Sequence, residues 1–395
     1  MVITSHTKKN MILIVYKSLI QVGGAEKFLC EFFINLKKHH DVKLVCKEYN
    51  NEVTDFFKIK QSDILIPRKN NLISWFAFLK KNLKKNQIVI VQSGFKDIYL
   101  VSLLKKIKTI LFLHHPYFNS LDHFDLLSFI HLKNKKEFIK TPENLKFYRK
   151  LKIKAKEKSN FIKTNLNAIL IFLAFKKADN IIVLSEYGRN EKKEIFNIDS
   201  TYIPPAIGQT FIDEANKLST INKENQIIYF GRLSKEKRVD ILINAFNSID
   251  INYKLKIIGS GEELEALKIL AQKNKNIIFT EFLNDESLFK EIKKSKLMVT
   301  LEWADYNLTV YESIVLGTRV LFGKTFGIEK NDQILIDNQM LFYCSPKKDE
   351  VAKNILKITE MKDPKVENYR FLINNNWKNY VKNFNKSVLN KFNIS

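Results

Sequence analysis

A glycine and two cationic side chains follow a short apolar run in the second half of this 395-residue chain. The run 227–230 predicts a buried strand, after which Gly231 permits a tight turn. Arg232 and Lys237 lie on that turn, and Ser234 is placed to cap the helix predicted to follow. Arginine offers a planar fork to phosphate oxygens, whereas lysine offers a compact point charge. Two cations and a helix N-terminus at the end of a strand are predicted to bind a diphosphate.

Glycines at other predicted strand ends suit the same chemistry. Gly259 and Gly261 permit close approach of the backbone to a nucleotide, with a plain tight turn as the alternative. The paired Gly23 and Gly24 follow the first apolar run and open a helix, which clears room for a sugar or an acceptor.

Apolar runs and helical patterns alternate along the chain in two consecutive series. This alternation predicts two parallel sheets covered by helices on both faces, and therefore two doubly wound Rossmann-like α/β domains. The predicted strands are 11–16, 41–46, 87–92, 109–114 and 180–184, then 227–230, 253–258, 276–280, 297–301 and 319–322. The predicted helices are 25–38, 97–106, 239–248, 262–273, 285–294 and 310–316.

The domain boundary is predicted at the paired prolines of segment 203–208, because proline disfavours both helix and central strand. The first domain then spans 1–205 and the second 206–373. The remaining segment, 374–395, carries aromatic residues at spacings of three and four, which places them on one face of a helix. These residues are Trp377, Tyr380 and Phe384.

The cationic turn and the segment 304–320, in this order and about seventy residues apart, resemble the nucleotide-sugar half of the retaining GT-B glycosyltransferases of family 4. The Gly-Arg…Glu-Lys motif of that family matches at Gly231, Arg232, Glu236 and Lys237. The resemblance implies a GT-B fold, in which two Rossmann-like domains face a cleft. It also implies that the C-terminal helix crosses back to the first domain, which it completes.

The resemblance implies roles for further residues. Glu312 matches the glutamate that accepts hydrogen bonds from the donor's ribose, with an ordinary surface helix residue as the alternative. Ala304 stands where the family has its first glutamate, so Asp305 or Glu302 could reach the donor sugar instead. The implied nucleotide-sugar-binding residues are Gly23, Gly24, Gly231, Gly259, Gly261, Leu283, Asp305, Tyr306, Asn307, Leu308 and Thr309.

His114 and His115 end a predicted strand, where the family has a histidine near the donor sugar and the acceptor hydroxyl. His114 therefore joins Arg232, Lys237 and Glu312 in the expected catalytic set; His115 is the reserve, and a structural role is the alternative. Neither histidine has neighbours at metal-ligand spacing, and no Asp-x-Asp ends a strand. The two cations are therefore expected to neutralise the departing diphosphate without a metal, and no cofactor is expected.

The chain carries 66 Lys and Arg against 42 Asp and Glu, a net charge of +24. Such an excess favours contact with a polyanion, with lysine-rich genome composition as the alternative. The basic insertion at about 119–170 contains segment 131–163, in which lysines alternate with aromatic and aliphatic residues. This pattern favours an anionic membrane surface, with nucleic acid or plain solvation as alternatives.

No apolar run approaches the length of a membrane span, and the three cysteines are scattered in apolar contexts. A cytoplasmic protein, peripheral on the inner face of the membrane, is therefore expected.

Together with these features, the resemblance implies a metal-independent retaining glycosyltransferase. It would move a sugar from a UDP-sugar, in preference to a GDP-sugar, to a hydroxyl of a lipid-linked or cell-surface glycan precursor, with no nucleic-acid partner. The alternatives are an epimerase-like enzyme on the same fold or a degenerate nucleotide-sugar binder, which Ala304 would favour.

Overall fold

The computed structural model describes residues 11–20, 23–67, 72–83, 87–92, 101, 107–114, 172–217, 222–302, 306–323 and 330–392. The chain divides into two compact units. The N-terminal unit comprises Met1–Pro204 together with Trp377–Ser395, and the C-terminal unit comprises Pro205–Asn376.

The N-terminal unit is built on a parallel sheet of seven strands. They are β1 Ile12–Leu19, β2 Val42–Tyr49, β3 Ile64–Leu65, β4 Ile88–Gln92, β5 Lys108–Leu113, β6 Asn180–Val183 and β7 Thr201–Tyr202. Their spatial order is β3-β2-β1-β4-β5-β6-β7, and every pairing is parallel. Among the described residues before the boundary, the helices are α1 Gly24–Lys37, α2 Asn51–Phe56, α3 Leu72–Asn82 and α4 Glu186–Phe196.

The C-terminal unit repeats this architecture with a parallel sheet of six strands. They are β8 Glu224–Phe230, β9 Lys254–Ile258, β10 Ile277–Thr280, β11 Ser295–Thr300, β12 Arg319–Gly323 and β13 Leu341–Cys344. The spatial order is β10-β9-β8-β11-β12-β13. The helices are α5 Gln209–Asn216, α6 Val239–Asn247, α7 Leu264–Ala271, α8 Asp285–Lys294, α9 Leu308–Val315, α10 Lys330–Asp337 and α11 Lys348–Thr359. The predicted fold class, two doubly wound parallel α/β units, is confirmed.

The last helix, α12 Trp377–Ser387, belongs to the N-terminal unit. Its aromatic face is buried, as the spacing predicted, and it packs on α1. The ring of Trp377 lies 5.0 Å from that of Phe28, and the ring of Phe384 lies 5.1 Å from that of Phe32. The return of the C-terminal helix to the first domain is therefore confirmed.

The interiors are apolar, as parallel strands covered on both faces require. All five residues of β4 are buried, and two apolar clusters pack on the sheet of the C-terminal unit. The three cysteines are buried and unpaired, and burial raises the pKa of each thiol to about 12. They are core residues, as expected from their apolar contexts.

Candidate active site

The strand order in the C-terminal unit reverses between β8 and β11, and ligands of open α/β sheets bind outside the carboxyl ends of strands at such a point. Arg232 and Lys237 follow β8, whereas Glu302 follows β11. The topology therefore brings the two predicted cations and this carboxylate to the switch point of one sheet.

The loops after β8 and β9 are joined by backbone hydrogen bonds. The amide of Gly231 donates to the carbonyl of Ile258 (3.0 Å), and the amide of Leu233 donates to that of Ser260 (2.8 Å). A Cβ atom at Gly259 or Gly261 would overlap the carbonyl oxygens of the β8 loop. Glycine at these two positions was predicted to allow close approach to a nucleotide. In the structure it allows the loops after β8 and β9 to pack against each other.

The prediction that Ser234 caps α6 is wrong. A single 3₁₀ turn, Lys235–Lys237, intervenes, and Arg238 adopts the left-handed conformation (φ 54°) immediately before the helix. The hydroxyl of Ser234 instead donates to Glu236 (2.6 Å). The turn still carries both cations, but the helix N-terminus lies one turn further along the chain than predicted.

Arg232 projects towards solvent, and 62% of its side chain is exposed. Its guanidinium lies 3.2 Å from the Glu236 carboxylate, an exposed pair of the kind that contributes little free energy. Arg232 can therefore turn to an incoming anion at small cost.

Lys237 is less exposed than Arg232, and its ammonium group is ion-paired with the Glu302 carboxylate. Burial, and then the Arg232 guanidinium, lower the pKa of Lys237 to about 8, and the Glu236 carboxylate acts in the opposite direction. The second cation is thus held inside the loop cluster by a carboxylate of the neighbouring strand end.

The same carboxylate reaches the start of α9. The side-chain amide of Asn307 donates to Glu302, while its oxygen caps the helix by accepting from the amide of Thr309 (2.9 Å). Glu302 therefore links Lys237 to the N-terminus of α9, where an anion is stabilised by the helix dipole and free amides.

The remaining predicted residues of this unit lie around the same helix or pack into the core. Leu308 begins α9, and Glu312 lies one turn into it and is only 4% exposed, so Glu312 is not an ordinary surface residue. The ring of Tyr306 stacks on that of Tyr311 at 4.7 Å. Leu283 packs against the apolar cluster beneath.

In the N-terminal unit, the predicted residues follow β1 and β5. Gly23 and Gly24 lead into α1, and the amide of Gly23 donates to Glu26 (3.1 Å). The hydroxyl of Tyr16, within β1, also donates to Glu26 (2.6 Å), which ties β1 to the start of α1. His114 follows β5 directly, and its imidazole contacts the side-chain amide of Gln92 at the end of β4.

Sequence reasoning did not assign Gln92 or Tyr16 to a site, and it considered Glu302 only for contact with the sugar. The signal that could have found all three is a polar residue at or near the carboxyl end of an apolar strand. Asp305, Ala304, His115 and the basic insertion 119–170 with its segment 131–163 lie outside the described residues. Within the described ranges, no helix is long and apolar enough to span a membrane, and no group of three acidic, His or Cys residues could hold a metal ion.

Residues 211–379 match the model of the family "Glycosyl transferases group 1". No curated protein matches the sequence. Among solved structures, the lipopolysaccharide outer core galactosyltransferase WaaB is 14% identical, with a TM-score of 0.66 over 96% of this chain and 99% of its own.

Anabaena HepE, solved with UDP, is 13% identical, with a TM-score of 0.67 over 96% of this chain and 100% of its own. The sucrose-phosphate synthase of Thermosynechococcus elongatus is also 13% identical, with a TM-score of 0.66 over 98% and 100%. The similarity to these solved structures shows the fold of the chain. The family match identifies the protein family that residues 211–379 resemble. The chain therefore has the GT-B fold, and its residues 211–379, most of which lie in the C-terminal unit, match the glycosyl transferases group 1 family.

Proposed function

We propose that the protein transfers a sugar from a UDP-sugar to an acceptor hydroxyl, with retention of the anomeric configuration and without a metal ion. The observation that carries this proposal is the meeting of Arg232, Lys237 and the N-terminus of α9 at the switch point of the C-terminal sheet. This arrangement suits a diphosphate better than any other common ligand group, because it combines two cations with backbone amides.

The diphosphate is the leaving group. As the bond from the anomeric carbon to the diphosphate oxygen breaks, negative charge grows on that oxygen, and Arg232 and Lys237 neutralise it. The acceptor oxygen bonds to the same face of the carbon, and its proton passes to the departing phosphate. Glu312 would hold the donor's ribose, and His114 of the N-terminal unit would assist at the sugar and the acceptor.

UDP is favoured over GDP because structures of Anabaena HepE were solved with UDP, with UDP and glucose, and with UDP-glucose. A glycan acceptor is favoured because WaaB, which shares the fold, is named a lipopolysaccharide outer core galactosyltransferase, and WaaG, which also shares it, is named a glycosyltransferase involved in lipopolysaccharide biosynthesis.

The proposed place of action is the surface of an anionic membrane, because segment 131–163 is rich in lysine and aromatic residues. Sedimentation with phosphatidylglycerol vesicles, but not with phosphatidylcholine vesicles, would support this. Replacing lysines of the segment by glutamate should abolish it. A wild-type protein that sediments with neither vesicle would refute the membrane proposal and leave the transfer reaction standing.

The test of the reaction is a panel of labelled UDP- and GDP-sugars, read out by thermal shift and by release of nucleoside diphosphate. A bound donor raises the melting temperature by mass action, and turnover of a UDP-sugar should persist in the presence of EDTA. Loss of turnover with EDTA, restored by Mg²⁺ or Mn²⁺, would contradict metal independence. Binding without turnover of any donor would favour the degenerate binder.

A further inference from the structure

Glu302 occupies the place where an incoming diphosphate is expected. Its carboxylate contacts the ammonium group of Lys237 on one side and the side-chain amide of Asn307 on the other. These partners belong to the two elements, the β8 loop and the N-terminus of α9, that the proposed function assigns to the donor's phosphates. One carboxylate therefore contacts both elements.

The pair is shielded from water. The side chain of Glu302 is 11% exposed and that of Lys237 is 24% exposed. Charges in such a setting are screened less by salt than surface charges, so a second anion arriving beside Glu302 meets a repulsion that solvent only partly removes. The exposed Arg232–Glu236 pair imposes no comparable barrier.

We propose that Glu302 is an internal competitor of the diphosphate: it competes with the diphosphate for Lys237, lowers the affinity for nucleoside diphosphate and thereby favours release of the product. This inference rests on the proposed function, because it concerns the same site. It assigns to Glu302 a role in setting affinity through Lys237, not contact with the donor sugar.

Two consequences distinguish competition from simple repulsion. Removing the charge of Glu302 should free Lys237 and tighten the binding of UDP. The gain should require Lys237, because without the ammonium group there is nothing for which the two anions compete.

The experiment is a double-mutant cycle on the full chain, with the Kd for UDP and for GDP measured by calorimetry. Glu302→Gln keeps an oxygen that can accept from Asn307, and it should tighten UDP binding by about three- to tenfold. Lys237→Ala should weaken binding, and in that background Glu302→Gln should give no gain. Glu265→Gln is the matched control, because it removes the partner of Lys268 (2.9 Å) in an exposed pair of the same unit and should leave the Kd unchanged.

Three results would overturn the inference and leave the proposed function standing. They are unchanged or weaker UDP binding by Glu302→Gln, a gain in affinity that persists without Lys237, and an equal gain in Glu265→Gln. Failure of the wild type to bind either nucleotide would overturn the proposed function and the inference with it. A crystal structure of the wild type with UDP needs no variant: Lys237 should have left Glu302 for a phosphate oxygen, and an intact pair beside a bound diphosphate would refute the competition.

Discussion

The backbones of Gly259 and Gly231 lie in contact, so that any Cβ atom at Gly259 would overlap the carbonyl oxygen of Gly231. Gly259 also has a φ of +145°, which residues with a side chain rarely adopt. This contact fixes the loop after β8, and with it the turn that presents Arg232 and Lys237. The site is therefore built on close packing of two strand ends.

Gly259→Ala should destabilise the C-terminal unit by at least about 2 kcal/mol, since both the overlap and the backbone conformation oppose the new methyl group. Scanning calorimetry of the full chain would measure the loss. Gly24→Ala is the stability control, because a Cβ atom there meets nothing within 4 Å. Equal melting temperatures for Gly259→Ala and the wild type would show that the loops can separate.

The strands of both sheets could be predicted because buried parallel strands are continuous apolar runs. The strand β13, Leu341–Cys344, was not predicted, although its apolar run is as long as the run 227–230 from which a strand was predicted. The strands β3 and β7 were not predicted because two residues are too few to show a pattern. Their pairing depends on neighbouring strands, which a local pattern does not report.

The composition of the site could be predicted, but its internal pairing could not. Lys237 and Glu302 are 65 residues apart, and only the adjacency of β8 and β11 brings them together. The wrong cap at Ser234 has a similar origin. The left-handed conformation of Arg238 starts the helix later, and no residue type in the sequence marks it.

Arg232→Ala and Lys237→Ala should each reduce turnover of the UDP-sugar by about 10²- to 10³-fold, because each removes a charge that stabilises the departing diphosphate. Steady-state release of UDP would measure this. Lys235→Ala removes an exposed cation from the same 3₁₀ turn and should leave turnover nearly unchanged. If all three variants lose the same small amount of activity, the effect is one of net charge, and the assignment of Arg232 and Lys237 fails.

Glu312→Gln should weaken the binding of UDP by about tenfold, the effect of losing hydrogen bonds to a charged, buried acceptor. If Glu312 binds the ribose, a UDP analogue that lacks the ribose hydroxyls should bind the wild type and Glu312→Gln about equally weakly. Glu350→Gln, an exposed residue of α11, is the control. An equal tenfold loss with both ligands would show that Glu312 supports the fold of the site without touching the ribose.

Lys223 should make the stability of the C-terminal unit rise with pH. Burial lowers the pKa of this lysine from 10.5 to about 7, and the nearby Asp363 only partly offsets that effect. Its ammonium group lies 3.0 Å from the hydroxyl of Thr318. Between about pH 7 and 10.5 the unfolded chain therefore binds more protons at this position than the folded chain, and the free energy of unfolding increases with pH.

The contribution of Lys223 to this slope is at most about 1.4 kcal/mol per pH unit, the limit for one proton. Calorimetric melting of the wild type and of Lys223→Met from pH 6 to 9.5 would measure it, because the variant lacks the titrating group and should lose that part of the slope. Lys275→Met, at an exposed position of the same unit, should keep the slope of the wild type. Parallel curves for the wild type and Lys223→Met above pH 7 would show that this lysine stays protonated in the folded protein, held by Asp363 and solvent.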